Sequence, residues 1–186
     1  MNKEIAENEN RGPGWEEYDE AVKLLEKGEP TMAAAGFHNA IKDFEVADNK
    51  KGIANAASRL ADICLEREEY PRALEMLARV EEICTADHDR LSLMSINKRK
   101  AQALLKTNDY QAATELYLDL IEEYHQLNNP DGTVKALAAL SDCYRAAGDR
   151  DKAADALKTA ASIHRNFGHK RHAADLEEQA AKILGN

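Results

Sequence analysis

The side chains able to act as nucleophiles, metal ligands or acid–base groups are few and poorly placed for such work. Cys64, Cys84 and Cys143 are an odd count at wide spacing, which gives neither a disulfide framework nor a CxxC metal pair. Cys64 falls on an apolar register position and Cys143 lies next to one, so both are expected as buried small hydrophobes. A thiol nucleophile would also need a histidine and an orienting group beside it. His164, His169 and His172 gather near one loop, the last two at i, i+3, but Lys170 and Arg171 surround them. No cysteine or carboxylate completes a ligand set at close spacing, so a solvated loop is expected and no metal site. The chain has no glycine-rich phosphate loop, no HExxH, no GxSxG, and no paired carboxylates beyond ordinary helix faces. The expectation is a protein without catalysis or cofactor that acts through its surface.

The elements presenting that surface are helices. Apolar residues make up 44% of the 186, but with three Phe and one Trp the share leans on alanine, as in a core of closely packed helices. A net charge of −9 argues against nucleic acid, whose sequence-independent binding neutralises phosphates, and against an anionic membrane surface. A local basic patch stays compatible with that total. The start, MNKEIAENENRGPG, is polar and has no apolar signal region, and no window approaches 18 apolar residues. A cytoplasmic, reducing setting is expected, with residues 1–14 as a disordered tail ahead of a single domain over 15–186.

Self-similarity organises that domain. Ala33, Ala73, Ala113 and Ala153 stand forty apart; four residues on come Phe37, Leu77, Tyr117 and Leu157, and three further Ala40, Val80, Leu120 and Ala160. Small, then i+4 large, then i+7 apolar is one helix face written four times. Upstream, Ala21 and Leu24, Ala61 and Cys64, Ala101 and Leu104, Ser141 and Tyr144 mark a second helix per repeat, and Ala181 with Leu184 continues the series. Glu29, Glu69, Asp109 and Asp149 sit in the turns as expected N-caps. The spacing predicts nine helices: antiparallel pairs over about 15–49, 50–89, 90–129 and 130–168, and a capping helix over 169–184.

This pattern resembles the tetratricopeptide repeat, with Ala101, Tyr110, Ala113, Tyr117 and Leu120 in its small, turn-aromatic and packing positions, and Ala61, Tyr70, Ala73, Leu77 and Val80 one repeat earlier. Pro30 and Arg150 replace the turn aromatic in the outer repeats. Forty residues exceed the usual thirty-four, which narrows the likeness to Pins-type adaptors and Rap-type regulators. The resemblance implies an all-α, right-handed solenoid whose first helices line a concave groove. Carried over by register, the groove receives Trp15 and Tyr18, Asn55 and Arg59, Lys98, Arg99 and Gln102, and Lys135 and Arg145. Its centre is then basic and its first repeat aromatic, although Trp15 is expected mainly to cover the open end of the first pair.

Such a strip suits carboxylates or phosphates. The clamp that chaperone-binding members use is not reproduced, because Gln102 and Ala139 stand where asparagines belong and Asp175 and Gln179 replace the last basic pair. The expected function is a protein–protein interaction scaffold that binds an acidic protein segment or peptide, as a monomer or weak homodimer. The alternatives are a self-associating assembly component and a peptide-responsive regulator. Neither nucleic acid nor membrane is expected as a partner.

Overall fold

A computed structural model of the chain describes residues 12–185. Among them are nine helices and no strand: α1 (Trp15–Glu26), α2 (Pro30–Val46), α3 (Lys50–Glu66), α4 (Tyr70–Ala86), α5 (Arg90–Lys106), α6 (Tyr110–Gln126), α7 (Pro130–Ala146), α8 (Arg150–Asn166) and α9 (Lys170–Gly185). The all-α class and the pairing of helices stand as expected from the spacing. Most of the expected N-terminal tail, residues 1–11, lies outside the described residues. Gly14 is buried with positive φ, and a Cβ there would come within 2.8 Å of the Phe44 ring.

The geometric period is twenty, half of what the sequence displays. Helices α2 to α8 are each 17 residues long, and three residues separate each from the next. The central turn residue is left-handed every time: Gly28, Asp48, Glu68, His88, Asn108, Asn128, Gly148 and Gly168. At each turn the following N–H reaches back over five residues, as from Asn49 to the Phe44 carbonyl at 2.8 Å, while Asp48 N–H donates to Glu45 at 3.1 Å. These are the two hydrogen bonds of a Schellman stop, which satisfy carbonyls a helix end leaves orphaned.

The residue closing that stop also starts the next helix. Asn49, Asp109, Asn129 and Asp149 accept hydrogen bonds from Gly52, Ala112, Gly132 and Lys152 N–H. Asp89 accepts from both the N–H and the hydroxyl of Ser92. Those bonds hold the Asp89 carboxyl below its ordinary 3.8, and the Lys152 ammonium with its N–H does the same for Asp149. A depressed folded value means the caps act in full above the ordinary value and weaken as pH falls through the lowered ones. Glu29 and Glu69 depart from expectation and make no side-chain cap bond. The longer glutamate overshoots the first-turn N–H groups; Glu69 pairs with Arg67 at 2.9 Å and Arg72 at 3.6 Å. Prolines in the first turns of these two helices remove a donor that would need capping.

The chain divides into two compact units at Leu93 and Met94. The first is built on buried Ala21, Ala33, Phe37, Phe44, Leu60, Ala61 and Leu77. Trp15 meets Phe44 and Tyr18 edge-on at 4.9 and 5.4 Å, and Tyr18 meets Phe37 at 5.4 Å, so both aromatics pack on the first helix pair. The second unit is built on Ala101, Ala113, Tyr117, Leu120, Leu140 and Cys143, continued by Val134, Leu137 and Ala160 and by Ala154, Leu157 and Ala180. Ser141 takes the place of Ala21, Ala61 and Ala101 and spends its hydroxyl on the Ala153 carbonyl at 2.8 Å, tying α7 to α8. Cys64, Cys84 and Cys143 are all buried thiols.

A side chain at positive φ carries strain that glycine lacks, and exposed Glu68 has a φ of 59°. Glu68→Gly should therefore raise stability by about 0.5–1 kcal/mol in urea titrations followed by circular dichroism, strain relief outweighing the entropy of the added glycine.

Candidate functional site

The second unit holds a cavity of about 220 Å³ between α5 and α7 with α6 as its floor. Lys98 and Gln102 border it from α5, Tyr117, Leu120 and Tyr124 from α6, and Gly132, Lys135, Ala136 and Ala139 from α7. The lining holds two lysines and no carboxylate. Of the residues expected in a groove, Lys98, Gln102 and Lys135 are brought together here.

Local sequence explains the hollow. Tyr124, near the end of α6, lies over the start of α7, where a Cβ on Gly132 would come within 2.5 Å of its ring. The same pairing joins Phe44 to Gly52, where the distance would be 2.4 Å. Gly132 N–H is meanwhile the donor to the Asn129 cap at 2.9 Å. One and two turns on, Ala136 and Ala139 leave room; in forty-residue register Ala139 stands where Arg59 and Arg99 stand in the preceding repeats. The floor is buried, with Tyr117 3% and Leu120 1% exposed. Burial, with smaller contributions from Cys143 and Asp142, pushes the Tyr117 phenol up to about 12. Burial first, then Asp142, pushes the Cys143 thiol up to about 11, which makes it a poor nucleophile.

The other expected groove residues are elsewhere. Arg145 pairs with Asp142 at 2.8 Å within α7, both being exposed. Arg99 turns its Nε to the Ser95 carbonyl at 3.4 Å on its own helix. Asn55 and exposed Arg59 lie on α3, and Trp15 and Tyr18 on α1, all in the first unit. Lys135 itself holds Asp131 at 2.5 Å, and this hydrogen bond raises its pKa. Both partners are about 70% exposed (68% and 72%), so the pair exchanges readily with water or another anion. Tyr124 and Gly132 were not among the expected site residues. The signal that marks them is an aromatic followed eight residues later by glycine, written at 44 and 52 and again at 124 and 132.

His164, His169 and His172 do converge at the α8–α9 turn, with ring centroids 5.2–6.1 Å apart. Among the described residues no group of three or more His, Cys, Asp or Glu is placed to hold a metal ion. No described helix is long and apolar enough to cross a membrane.

Comparison with known proteins agrees with this architecture. Residues 89–166, which include α5 to α8 and the whole cavity lining, match the family described as tetratricopeptide repeat. No curated protein matches the sequence. Among solved structures the chain is similar to the apo form of RapI, at 14% identity and a TM-score of 0.76 over 92% of this chain and 64% of that one. It is also similar to a putative kinesin light chain from Podosopora anserina with nearly identical TPR-like repeats, at 15% identity and 0.66 over 91% and 93%. A Rap protein complexed with Competence and Sporulation Factor aligns at 14% identity and 0.60 over 93% and 55%. The chain thus spans less than two thirds of either Rap protein's length. Over residues 89–166 the chain matches the tetratricopeptide repeat, and its fold is similar to that of RapI.

The site makes two expectations measurable. Gly132→Ala forces the Tyr124 ring aside and should cost about 1–3 kcal/mol in urea unfolding, with little change in helix content. In alkaline difference spectroscopy one phenol should ionise near pH 12, and Tyr117→Phe should remove that step. Because the folded value lies above the ordinary 10.0, the stability tied to this phenol is full below pH 10.0 and lost as pH rises through 12.

Proposed function

We propose that this chain is a non-catalytic interaction module whose second unit takes an acidic protein segment or peptide on the face formed by α5 and α7. One observation carries the reading: a preformed hollow bordered by Lys98, Lys135 and Gln102 with no carboxylate in its lining, on a chain of net charge −9. In a protein that repels anions overall, a locally cationic concavity selects them by position. The two ammonium groups act as point charges and Gln102 adds a neutral donor and acceptor. The aromatics of the first repeat, Trp15 and Tyr18, pack on Phe44 and Phe37 in the first unit and do not border this hollow.

A peptide-responsive regulator is the second reading. It is favoured by the likeness to a Rap protein whose structure holds Competence and Sporulation Factor, a ligand that belongs to that protein.

The test uses a fluorescein-labelled glutamate-rich decapeptide and anisotropy at low and high salt. Lys98→Glu with Lys135→Glu should weaken binding by about tenfold or more at low salt, roughly 1.4 kcal/mol, with the circular dichroism spectrum unchanged. Undiminished binding by that variant, with loss instead on Arg59→Glu in the first unit, would sink the assignment to α5 and α7.

A further inference from the structure

We propose that the cavity between α5 and α7 is an anchor pocket for one bulky apolar side chain of the bound segment, and that a carboxylate next to it in that segment is held at the rim by Lys98 and Lys135. The proposal rests on the reading of this face as the binding surface and goes further by naming what the ligand must carry.

Size excludes a larger guest. At about 220 Å³ the hollow falls below the roughly 300–1,000 Å³ of pockets that enclose a whole drug-sized molecule. It matches the scale of a single large side chain projecting from a chain that otherwise lies outside.

Polarity sorts the guest into two parts. The floor is Tyr117 and Leu120, and the walls include Ala136 and Ala139. A carboxylate driven to that floor would lose its hydration and meet no cation there, a large penalty. An apolar group is welcome at the same depth and gains from leaving water. The charge must therefore stay outside, where Lys98 and Lys135 border the opening from opposite helices. Lys135 can accept a new anion by exchanging its exposed partner Asp131, a pair of small net value. A polyanion with no apolar part, such as a bare phosphate chain, would leave the floor empty.

The register points the same way. Ala139 occupies the place of Arg59 and Arg99, so the hollow exists because one repeat lacks a long side chain its neighbours carry. Beneath the hollow, Tyr117 and Leu120 are held in the core at 3% and 1% exposed, so the guest rests on a packed base and is walled by Ala136 and Ala139. A preformed pocket spends little binding energy on ordering.

The test uses the full chain and acetylated, amidated peptides, Glu-Glu-Phe-Glu-Glu and the same frame with Gly for Phe, read by anisotropy and by amide shifts at Gly132, Ala136 and Ala139. The Phe peptide should bind about tenfold or more tighter than the Gly peptide, an increment expected from burying one aromatic side chain. Ala139→Leu should remove that difference and leave the Gly peptide unaffected, whereas Lys98→Gln with Lys135→Gln should weaken both. A Gln-Gln-Phe peptide with a free C-terminus separates the two carboxylate sources: tight binding places the terminal carboxylate at the rim, weak binding the glutamate side chain. Equal affinity for the Phe and Gly peptides, with the lysine dependence intact, overturns the anchor and spares the binding face. No binding by either, or binding indifferent to both lysines, overturns the face and the anchor together.

Discussion

Helices α1 to α8 are each cut to length by one kind of turn, and the arrangement of side chains follows from that turn. A left-handed residue at positions 28, 48, 68 and onward to 168 folds the backbone so that the next N–H returns to a carbonyl five residues earlier. The residue donating that bond is also the N-cap of the following helix. Stop and start are thus one three-residue event, with no slack for the chain to shift register. Seventeen residues rise about 25 Å at 1.5 Å each, so within each unit a reversal brings equivalent levels of neighbouring helices side by side. Alanine at matched levels then lets the axes approach closely, and large residues fill what remains.

That fixed register turns size into the main variable. Near the ends of α2, α6 and α8 a residue meets the start of the next helix, and the pair must share one volume. Phe44 with Gly52 and Tyr124 with Gly132 solve this by giving the space to a ring. At the same levels of α8 and α9, His164 and His172 place two rings 5.2 Å apart. The cavity arises by the same logic: Gly132, Ala136 and Ala139 are small on three successive levels of α7, and no side chain from α5 fills the gap. The hollow here is a packing choice, made without distorting a helix.

The repeat was readable because its two faces differ: alanine, large, apolar recurs every forty residues on the second helices, and a separate small-residue pattern marks the first. The twenty-residue turn was not, because a left-handed site tolerates Gly, Asn, Asp, Glu or His and so leaves no constant letter. Glu29 and Glu69 show a related limit: they share a charge with Asp109 and Asp149, but a cap depends on side-chain length. At the site, lysines on α5 and α7 were visible by register. Tyr117 and Leu120 looked like plain core, and core they are; their second role as a floor needs the space above Ala139, which is an absence in the sequence. The placing of Arg145 and Arg99 follows from carboxylate and carbonyl neighbours on their own helices, a local competition that register does not weigh.

Local competition also decides how a chain of charge −9 can present a cationic site. Several exposed cations here meet a carboxylate three or four residues away on the same helix, as Lys158 does with Asp155 and Lys182 with Glu178. Each such pair is screened by water, too weak to hold a lysine against a well-placed anion. Asp131 therefore keeps Lys135 oriented without neutralising the rim for good. On the proposed reading, an arriving carboxylate would replace one exposed pair with another and gain the second ammonium of Lys98. The electrostatic part of recognition is shallow and salt-sensitive on this reasoning, because both lysines stay in water. Depth of binding must come from what leaves water, and at this face the buried floor between α5 and α7 is the place prepared to receive it.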